Sequence, residues 1–416
     1  MSDRFDVIVA GAGAVGLSAG LAAACAGLRV CVVGRIDRRE GGRTVALLDG
    51  SIRFLRALNA WEAIAPQSAP LEIMRIVDDT GSLFRTPPVD FRASEIGLSA
   101  FGSNVENVAL VKTLAELARA APGLTLLEDM IFAHEHAPDA IRVSVGDRTL
   151  EGALLVGADG RASPSRKAAG IGVRSWSYPQ SALTTIFSHT LPHENVSTEF
   201  HTRAGPFTLV PLPGRAHEPH RSSLVWVTTP DEAQRLLALA PDDFAREAER
   251  QAHAVLGAME LAGPIGHSPI SALKAKSVIG HRTVLVGDAA HALAPIGAQG
   301  LNLGLRDVAE LARFLTGADD PGALGALRSY ARARERDAAL RTLGVDLLNR
   351  SLLAPFLPVD LARGLGLTAL AHIGPLRRAF MRAGLAQRAG APRPRLRPPS
   401  EAPSERRRAA RKPDRA

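Results

Sequence analysis

The stretch Gly287-Asp288-Ala289-Ala290-His291, continuing through Pro295 to Gly297-Ala298-Gln299-Gly300-Leu301-Asn302-Leu303-Gly304-Leu305-Arg306-Asp307, decides the fold of this chain. An apolar run before it, Thr283 to Val286, predicts a buried strand, and the pattern from about Leu301 to Leu315 predicts a helix. An acid at a strand end can accept hydroxyl hydrogen bonds, and glycines at a helix start let a phosphate approach backbone N–H groups. Taken alone, the stretch is also compatible with an ordinary strand-to-helix turn.

A second glycine-rich stretch opens the chain. A predicted strand, Phe5 to Ala10, is followed by Gly11-Ala12-Gly13-Ala14-Val15-Gly16, a helix to about Gly27 and a second strand from Arg29 to Val33. The spacing G-x-G-x-x-G between a strand and a helix predicts a dinucleotide site. In such a site the first glycine allows a tight turn, the second lets the backbone approach a pyrophosphate, and the third allows close helix–strand contact.

The end of the second predicted strand departs from the dinucleotide pattern. The acid that would bind the adenosine ribose is absent, because Gly34 and Arg35 stand there. Asp37 is near enough for a loop to present it instead. Arg43, in the next loop, could contact a ribose or the pyrophosphate, or could be a solvated surface charge.

A third motif lies in the middle of the chain. The apolar run from Leu154 predicts a buried strand that ends in Asp159-Gly160. A helix then begins, with Ser163 as the expected N-cap and Pro164 in the first helical position. Asp159 could be a simple turn residue, and Arg166 could be a surface charge or a phosphate contact, but D-G-x-x-S-x-x-R is more particular than a turn requires.

The charge of the chain is concentrated at its C-terminus. The 416 residues carry a net charge of +8. Nine arginines and one lysine against three acids from Arg388 to Ala416 supply +7 of it. Because the body is nearly neutral and aromatic residues make up only 4%, a nucleic-acid partner is not expected. The segment 388–416 is predicted to be disordered, with a role in solubility or in attraction to an anionic membrane or acidic partner.

Cysteine content and hydropathy limit the cellular compartments in which the protein is expected. Cys25 and Cys31, the only cysteines, are expected to be buried free thiols. The start shows no signal-peptide pattern, and no stretch is long enough to cross a bilayer. These features predict a cytoplasmic protein, with a peripheral position at the inner membrane as the alternative.

The order of the three motifs resembles the FAD-dependent aromatic hydroxylases of the para-hydroxybenzoate hydroxylase fold. Within that family the chain is most similar to the ubiquinone-biosynthesis hydroxylases. The similar segments are Gly287 to Asp307, Arg43-Thr44-Val45-Ala46-Leu47 and Val105-Glu106-Asn107, and residues 361–367 and 375–378 match less specifically. The resemblance covers about residues 4 to 386. It implies FAD as cofactor and NAD(P)H as co-substrate.

The resemblance also assigns parts of the cofactor to residues of this chain. It places the pyrophosphate on Gly11, Ala12, Gly13, Ala14, Val15 and Gly16, and the adenosine–pyrophosphate region on Arg43. The ribityl and phosphate end falls to Asp288, and the isoalloxazine ring to Pro295, Gly297, Gly300, Leu301 and Asn302. Contacts with both FAD and NAD(P)H fall to Asp159 and Gly160. Val108 and Val111 replace an Arg and a Gln that many relatives carry. No catalytic side chain and no metal ligand are assigned.

The implied fold class is α/β, a Rossmann-like βαβ FAD-binding domain with an inserted antiparallel-sheet substrate domain and a helical C-terminus. The FAD-binding domain would comprise residues 1–175, with some substrate-domain strands near 70–100, and 277–320. The substrate sheet would comprise 176–276, and C-terminal helices 321–387. In the inserted sheet we predict strands at 182–190, 207–210 and 223–228 and a helix at 242–256. Loop positions without metal-ligand spacing are expected for His189, His193, His201, His217 and His220.

The implied reaction is hydroxylation of the aromatic ring of a polyprenylated phenol in ubiquinone biosynthesis, with NAD(P)H and O2, through a flavin C4a-hydroperoxide. One alternative is a hydroxylase of a soluble aromatic acid or phenol, which a closed pocket with a buried arginine would favour. A second is a flavin-binding scaffold without turnover. A homodimer and association with a membrane or a biosynthetic complex are compatible with the Leu/Phe stripes near the C-terminus.

Overall fold

The computed structural model describes residues 3–38, 42–81, 86–293, 299–335, 364, 366 and 368–385. Pro295, Gly297 and the segment 388–416, for which the sequence made predictions, lie outside the described residues. So does most of the predicted helical region between 336 and 367.

The strands and helices follow in chain order. The strands are β1 (Asp3–Ala10), β2 (Val30–Val33), β3 (Thr44–Leu48), β4 (Ser68–Pro70), β5 (Ile73–Asp78), β6 (Val89–Arg92), β7 (Gly102–Glu106), β8 (Leu124–Leu127), β9 (Ile131–His136), β10 (Ile141–Val145), β11 (Arg148–Gly157), β12 (Val173–His189), β13 (Val196–Thr202), β14 (Gly205–Leu212), β15 (Arg221–Thr228), β16 (Met259–Leu261), β17 (Gly266–Ala275), β18 (Ile279–Gly280), β19 (Thr283–Leu285) and β20 (His291–Ala292). The α-helices are α1 (Ala14–Cys25), α2 (Asp49–Ala57), α3 (Trp61–Ile64), α4 (Asn107–Ala120), α5 (Pro164–Ala168), α6 (Pro230–Leu237), α7 (Pro241–Gln251), α8 (Gln299–Leu315), α9 (described over 324–335), α10 (described at 364, 366 and 368–372) and α11 (Gly374–Leu385). Short 3₁₀ turns lie at Ala65–Gln67, Ala93–Ile96 and Gly287–Ala289.

A mostly parallel sheet, here called the dinucleotide sheet, contains the strands around the three motifs. Its order is β18-β19-β11-β1-β2-β8, and β8, β2, β1, β11 and β19 run parallel. The hairpin β9–β10 pairs with β11. Because parallel strands end at one edge of a sheet, the turns after β1, β11 and β19 meet there.

Both faces of the dinucleotide sheet are covered, which explains why its strands are continuous apolar runs. Val7 and Val9 pack with residues of α1, α4 and α8, whereas Ile8 and Ala10 pack with residues of the β9–β10 hairpin. Cys25 and Cys31 are buried free thiols, as predicted. Burial raises the pKa of the Cys31 thiol to about 12.

A second sheet, here called the large sheet, has the order β20-β17-β12-β15-β14-β13-β5-β6, with β16 paired to β12. Its neighbours are antiparallel except for β13 and β5, which run parallel. Strands β5 and β6 come from the region near 70–100, before the inserted segment. Helix α11 packs on this end of the sheet, where Met381 is buried among Val89, Phe91 and Phe101.

Three histidines occupy the predicted loop positions and two do not. His193, His217 and His220 lie outside strands and helices. The prediction was wrong for His189 and His201, which lie in β12 and β13 and are buried. Burial is tolerated because each ring has a polar partner: His189 contacts the Leu191 carbonyl and the Ser222 hydroxyl at 2.7 and 3.0 Å, and His201 contacts Glu199 at 2.8 Å.

Among the residues that the structure describes, no helix is long and apolar enough to cross a membrane.

Candidate functional site

The three sequence motifs meet at one edge of the dinucleotide sheet. A Cβ on Gly11 would lie 2.3 Å from the Ala158 carbonyl oxygen, so the first motif contacts the middle one. The Val15 side chain packs against Gly287 and Gly304, where added Cβ atoms would lie 3.2 and 2.8 Å from its methyl groups. Glycine is therefore needed at these crossings because backbone and side chain approach too closely for a Cβ.

The start of helix α1 lies at this edge beside the turn Gly287–Ala289 and helix α8, and we call the open space at Gly13 and Gly300 the cleft. Gly13 is the N-cap, no side chain caps the helix, and its first turn carries no acid. A Cβ on Gly13 would meet nothing within 4 Å, and the same is true of Gly300 near the start of α8. Uncapped N–H groups at a helix start favour a negatively charged group. The geometry of Gly13 therefore suits an approaching phosphate.

Asp288 lies in the same cleft with its side chain exposed. Protein atoms nevertheless crowd around it, and this desolvation raises the pKa of its carboxyl group, partly offset by the positive charges of Arg161 and Arg43. Arg43 and Arg161 are thus near enough to Asp288 to act on its charge, and Arg161 is a residue that the sequence analysis did not select.

The middle motif is held by its own side chains. Ser163 caps α5 by accepting a hydrogen bond from the Arg166 N–H at 3.0 Å, with Pro164 following it, as predicted. The two Asp159 carboxylate oxygens accept hydrogen bonds from the Ser163 hydroxyl and the Ser165 N–H. Gly160 has a φ of +78°, which suits glycine, and an added Cβ would meet nothing within 4 Å.

Arg166 is not the surface charge that the sequence allowed. Its side chain is buried, and the guanidinium donates hydrogen bonds to the carbonyls of Ala289 and Arg161 at 2.9 and 2.8 Å. It therefore joins the middle motif to the turn that carries Asp288. A sequence pattern cannot reveal such a role, because Ala289 lies 123 positions away.

Asn302 joins α8 to the segment that follows Arg43. Its buried side-chain oxygen accepts hydrogen bonds from the Leu48 N–H and the Ser51 hydroxyl at 2.9 and 2.7 Å. Its amide nitrogen donates to the Ala46 carbonyl at 2.7 Å. These bonds engage both ends of the amide, so the side chain of Asn302 fixes the start of α8 against the segment from Ala46 to Ser51.

Asp307, one helical turn further along α8, is the centre of a buried polar network that the sequence analysis missed. Its carboxylate accepts hydrogen bonds from the Gly287 N–H at 2.9 Å, His291 Nε2 at 2.8 Å and Arg334 Nε at 2.7 Å. Burial raises the pKa of Asp307, but His291, Arg334 and these hydrogen bonds outweigh it and hold the pKa below its usual value. One signal could have identified it: an acid among the apolar residues Leu305, Val308 and Leu311 of an amphipathic helix.

Close packing against the first motif explains why Gly34 stands where dinucleotide-binding sites usually carry an acid. A Cβ there would lie 2.3 Å from the Ala12 backbone nitrogen, so the position next to the first motif admits no side chain. A recess of about 350 Å³ lies just beyond it, and its lining includes Asp37, Val108 and Lys112. Asp37, the acid that the sequence offers in place of the missing one, lines this recess.

The comparisons with known proteins agree with this arrangement. Residues 4–341 match the family model described as FAD binding domain. The fold superposes on the crystal structure of p-nitrophenol 4-monooxygenase from Pseudomonas putida DLL-E4 with a TM-score of 0.78, at 17% identity and over 93% of this chain and 100% of that one. Fold and cleft together define a flavoprotein with an FAD site of the dinucleotide-binding type.

Curated relatives narrow this class. The ubiquinone hydroxylase UbiL of Rhodospirillum rubrum is 35% identical over 389 residues, which cover 91% of this chain and 88% of the relative. The 3-demethoxyubiquinol 3-hydroxylase of Escherichia coli is 29% identical, over 91% of this chain and 98% of its own length. The chain belongs, with these relatives, to the family of FAD-dependent monooxygenases that contains the ubiquinone hydroxylases.

The residues of the cleft fit FAD. The uncapped start of α1 and the open side of Gly13 suit a pyrophosphate, and the exposed Asp288 carboxylate suits the hydroxyls of a ribityl chain. When bound, FAD supplies the electron transfer and oxygen activation of a monooxygenase. The protein supplies position, electrostatics and protection from water.

Proposed function

We propose that this chain hydroxylates the aromatic ring of a polyprenylated phenol in ubiquinone biosynthesis, with NAD(P)H as electron donor and O2 as oxygen source. The observation that carries the proposal is the 35% identity to a ubiquinone hydroxylase over 91% of this chain and 88% of the relative. Similarity over nearly the whole of both chains includes the large sheet as well as the FAD-binding motifs, so it bears on the substrate and not only on the cofactor.

We further propose that the predicted residues hold FAD in the order in which the cleft presents them. Gly11 to Gly16 would hold the pyrophosphate and Asp288 the ribityl chain, with Arg43 beside them. The recess beside Asp37 would take the adenosine. Gly300, Leu301 and the backbone of Asn302 would lie along the ring, together with Pro295 and Gly297 outside the described residues. Asp159 and Gly160 would contact FAD and NAD(P)H.

The charges on the large sheet support a neutral phenol over an aromatic acid. A substrate carboxylate would need an available cation, and the buried Arg221 is a candidate by position. However, its guanidinium donates to Glu106 at 3.1 Å, and a Glu218 carboxylate oxygen lies 2.9 Å from its Nε. Arg215 also bonds to Glu106, at 2.8 Å, so two arginines and two acids balance in this cluster. Because Arg221 already has acidic partners, recruitment of a further anion is disfavoured.

The apolar contacts of helix α11 support a substrate with a hydrocarbon tail. Met381 of α11, with Leu370 from the preceding helix α10, packs with Val89, Phe91 and Phe101 at the β5–β6 end of the large sheet. Apolar side chains at that end would offer a prenyl chain a path away from the polar cofactor cleft. Residues near the reacting ring would also exclude water, because in the presence of water the activated oxygen is lost as H2O2 before it reaches the substrate.

The proposal is tested by profiling quinone intermediates by mass spectrometry in a strain that lacks the gene. We expect an intermediate that lacks one ring hydroxyl to accumulate, and the wild-type gene to restore the product. A complementing copy with Gly16→Ala, in which FAD binding should fail, is the matched control and should not restore it. Unchanged quinone and intermediate levels in the deletion strain, with no other hydroxylase of the pathway present, would refute the proposal.

A further inference from the structure

One row of residues on the large sheet remains partly accessible although it crosses the middle of the sheet. Thr184, Val225, Thr208, Glu199 and Ile76 are direct neighbours on β12, β15, β14, β13 and β5. Direct partners on adjacent strands project from the same face. Each of the five is partly exposed, whereas Ala182, Ile186, Val227 and Val210, which flank them on the same face, are buried. We call these five residues the inner row.

The inner row runs between two segments that belong to the cofactor cleft. On one side, Ser223 accepts hydrogen bonds from the Thr44 hydroxyl at 2.8 Å and from the Asn104 amide at 3.2 Å. Thr44 directly follows Arg43. On the other side, Ala182 and Val227 pack in a cluster with Leu293 and Leu303. These two leucines flank the segment 294–302, to which the ring of FAD is assigned.

The far end of the inner row reaches the apolar contacts of helix α11. Ile76 packs against the cluster of Val89, Phe91, Phe101 and Met381. A molecule lying along the row would therefore have one end beside the cofactor cleft and the other in apolar surroundings. The polar members of the row and its apolar end match the two parts of a phenol that carries a hydrocarbon tail.

Glu199 is the ionisable member of the inner row. Its Oε1 lies 2.8 Å from His201 Nε2, and its Oε2 accepts a hydrogen bond from the Thr208 hydroxyl at 3.3 Å. Its side chain is 20% exposed. Burial raises the pKa of the Glu199 carboxyl group. The hydrogen bond from His201, the positive charge of His201 and the hydrogen bond from Thr208 together outweigh burial and hold this pKa below its usual value. A carboxylate oxygen accepts more than one hydrogen bond, so capacity for a ligand remains.

We propose that the inner row seats the aromatic ring of the substrate and that Glu199 accepts a hydrogen bond from its phenol hydroxyl. This inference rests on the proposed function and deepens it, because it names the group that recognises the substrate. His201 and Thr208 are positioning residues that hold the carboxylate. A hydrogen bond to a carboxylate draws the phenol proton away from its oxygen and thereby enriches the ring in electrons, which favours attack on an electrophilic oxygen.

The test compares binding of a phenol and of its methyl ether to the FAD-loaded protein. The probes are 2-farnesylphenol and its O-methyl ether, and the dissociation constants are read from quenching of intrinsic fluorescence, without turnover. We expect wild-type protein to prefer the phenol about tenfold, as befits one hydrogen bond to a charged group. In Glu199→Gln the preference should largely vanish through weaker phenol binding, with ether binding unchanged. Glu260→Gln, which changes an exposed acid on β16 of the same sheet, should leave the preference intact.

The outcomes separate this inference from the proposed function. If wild-type protein prefers the phenol and Glu199→Gln keeps that preference while remaining folded and loaded with FAD, the role of Glu199 is wrong and the proposed function stands. If wild-type protein binds neither probe, the proposed substrate class itself fails. Should Glu199→Gln not fold, Glu199→Asp decides: it keeps the charge beside His201 but shortens the reach, and an undiminished phenol preference would overturn the inference.

Discussion

The two ends of the cofactor cleft are built in different ways. At the end proposed to hold the pyrophosphate, here called the pyrophosphate end, the glycines act through the absence of side chains: Gly11 and Gly16 lie against neighbouring backbone, and Gly13 faces open space. At the end proposed to hold the flavin ring, here called the ring end, Asn302 and Asp307 act through side chains that bond to partners as far as 256 positions away. The first end depends on a short pattern along the chain. The second depends on the fold bringing distant segments together.

The largest effect is expected at Asp307. Replacing Asp307 with Asn should lower the free energy of unfolding by about 4 kcal/mol, because it leaves the buried Arg334 and His291 beside a neutral amide. Denaturant unfolding of the FAD-free protein measures this loss. Asp243→Asn removes an exposed partner of Arg246 and should cost less than about 1 kcal/mol. Equal losses in the two variants would contradict the importance of the buried network.

The pH dependence of stability should identify the same group. The pKa of Asp307 is held below its usual value, so its stabilising contribution is complete at pH values above that usual value, about 4, and is lost as the pH falls through the lower pKa of the folded state. Between about pH 5 and pH 2, Asp307→Asn should therefore lose less stability than the wild type. A parallel decline of the two proteins would argue against an ionised Asp307.

At the pyrophosphate end the expected effects divide between two glycines. Gly16→Ala places a Cβ 1.9 Å from the Gly11 carbonyl oxygen and 3.3 Å from the Ala158 Cβ, and a backbone carbonyl has little room to relax. We expect a loss of about 3 kcal/mol in the FAD-free protein. Gly13→Ala, whose Cβ would meet nothing within 4 Å, should leave the fold nearly unchanged but weaken FAD binding. Similar destabilisation by both would show that Gly13 has a packing role.

This contrast explains which parts of the molecule could be predicted from the sequence. The strand–glycine–helix unit at the start, the strands before Asp159 and Asp288, and the cap at Ser163 depend on residues close in sequence, and the structure contains them. Apolar periodicity and glycine spacing carry that information directly.

The parts that could not be predicted depend on chain reversals. Arg166 was expected at a surface or a phosphate, but it bonds to a carbonyl of another motif. His201 was expected in a loop, yet its strand turns it inward beside Glu199. The inner row joins β5 to strands more than 100 positions later, so no local pattern marks it. Arg166 and the inner row have partners that are distant in the chain and are fixed only by the fold. His201 and Glu199 are two positions apart on β13, so recognising that strand in the sequence would have placed both side chains on one face.

Asn302 should show an intermediate effect. Replacing it with Asp keeps the acceptor for the Leu48 N–H and the Ser51 hydroxyl but turns a carboxylate oxygen toward the Ala46 carbonyl. We expect a loss of about 2 kcal/mol in unfolding free energy, measured with denaturant. Ser51→Ala removes a single donor and should cost less. A silent Asn302→Asp would mean that this link does not hold the ring end together.

The smallest effect on stability is expected at Ser163. Its side chain bonds to residues close in sequence, so it combines the local partners of the pyrophosphate end with the side-chain bonding of the ring end. Ser163→Ala removes the cap of α5 and should cost about 1 kcal/mol. Thr229→Ala removes the corresponding cap of α6, which lies outside the three motifs, and should cost about the same. Only Ser163→Ala should also weaken FAD binding, measured by fluorescence titration, because Ser163 donates to Asp159. Equal FAD affinity in the two variants would mean that the middle motif supports the fold of the cleft edge without shaping the cofactor site.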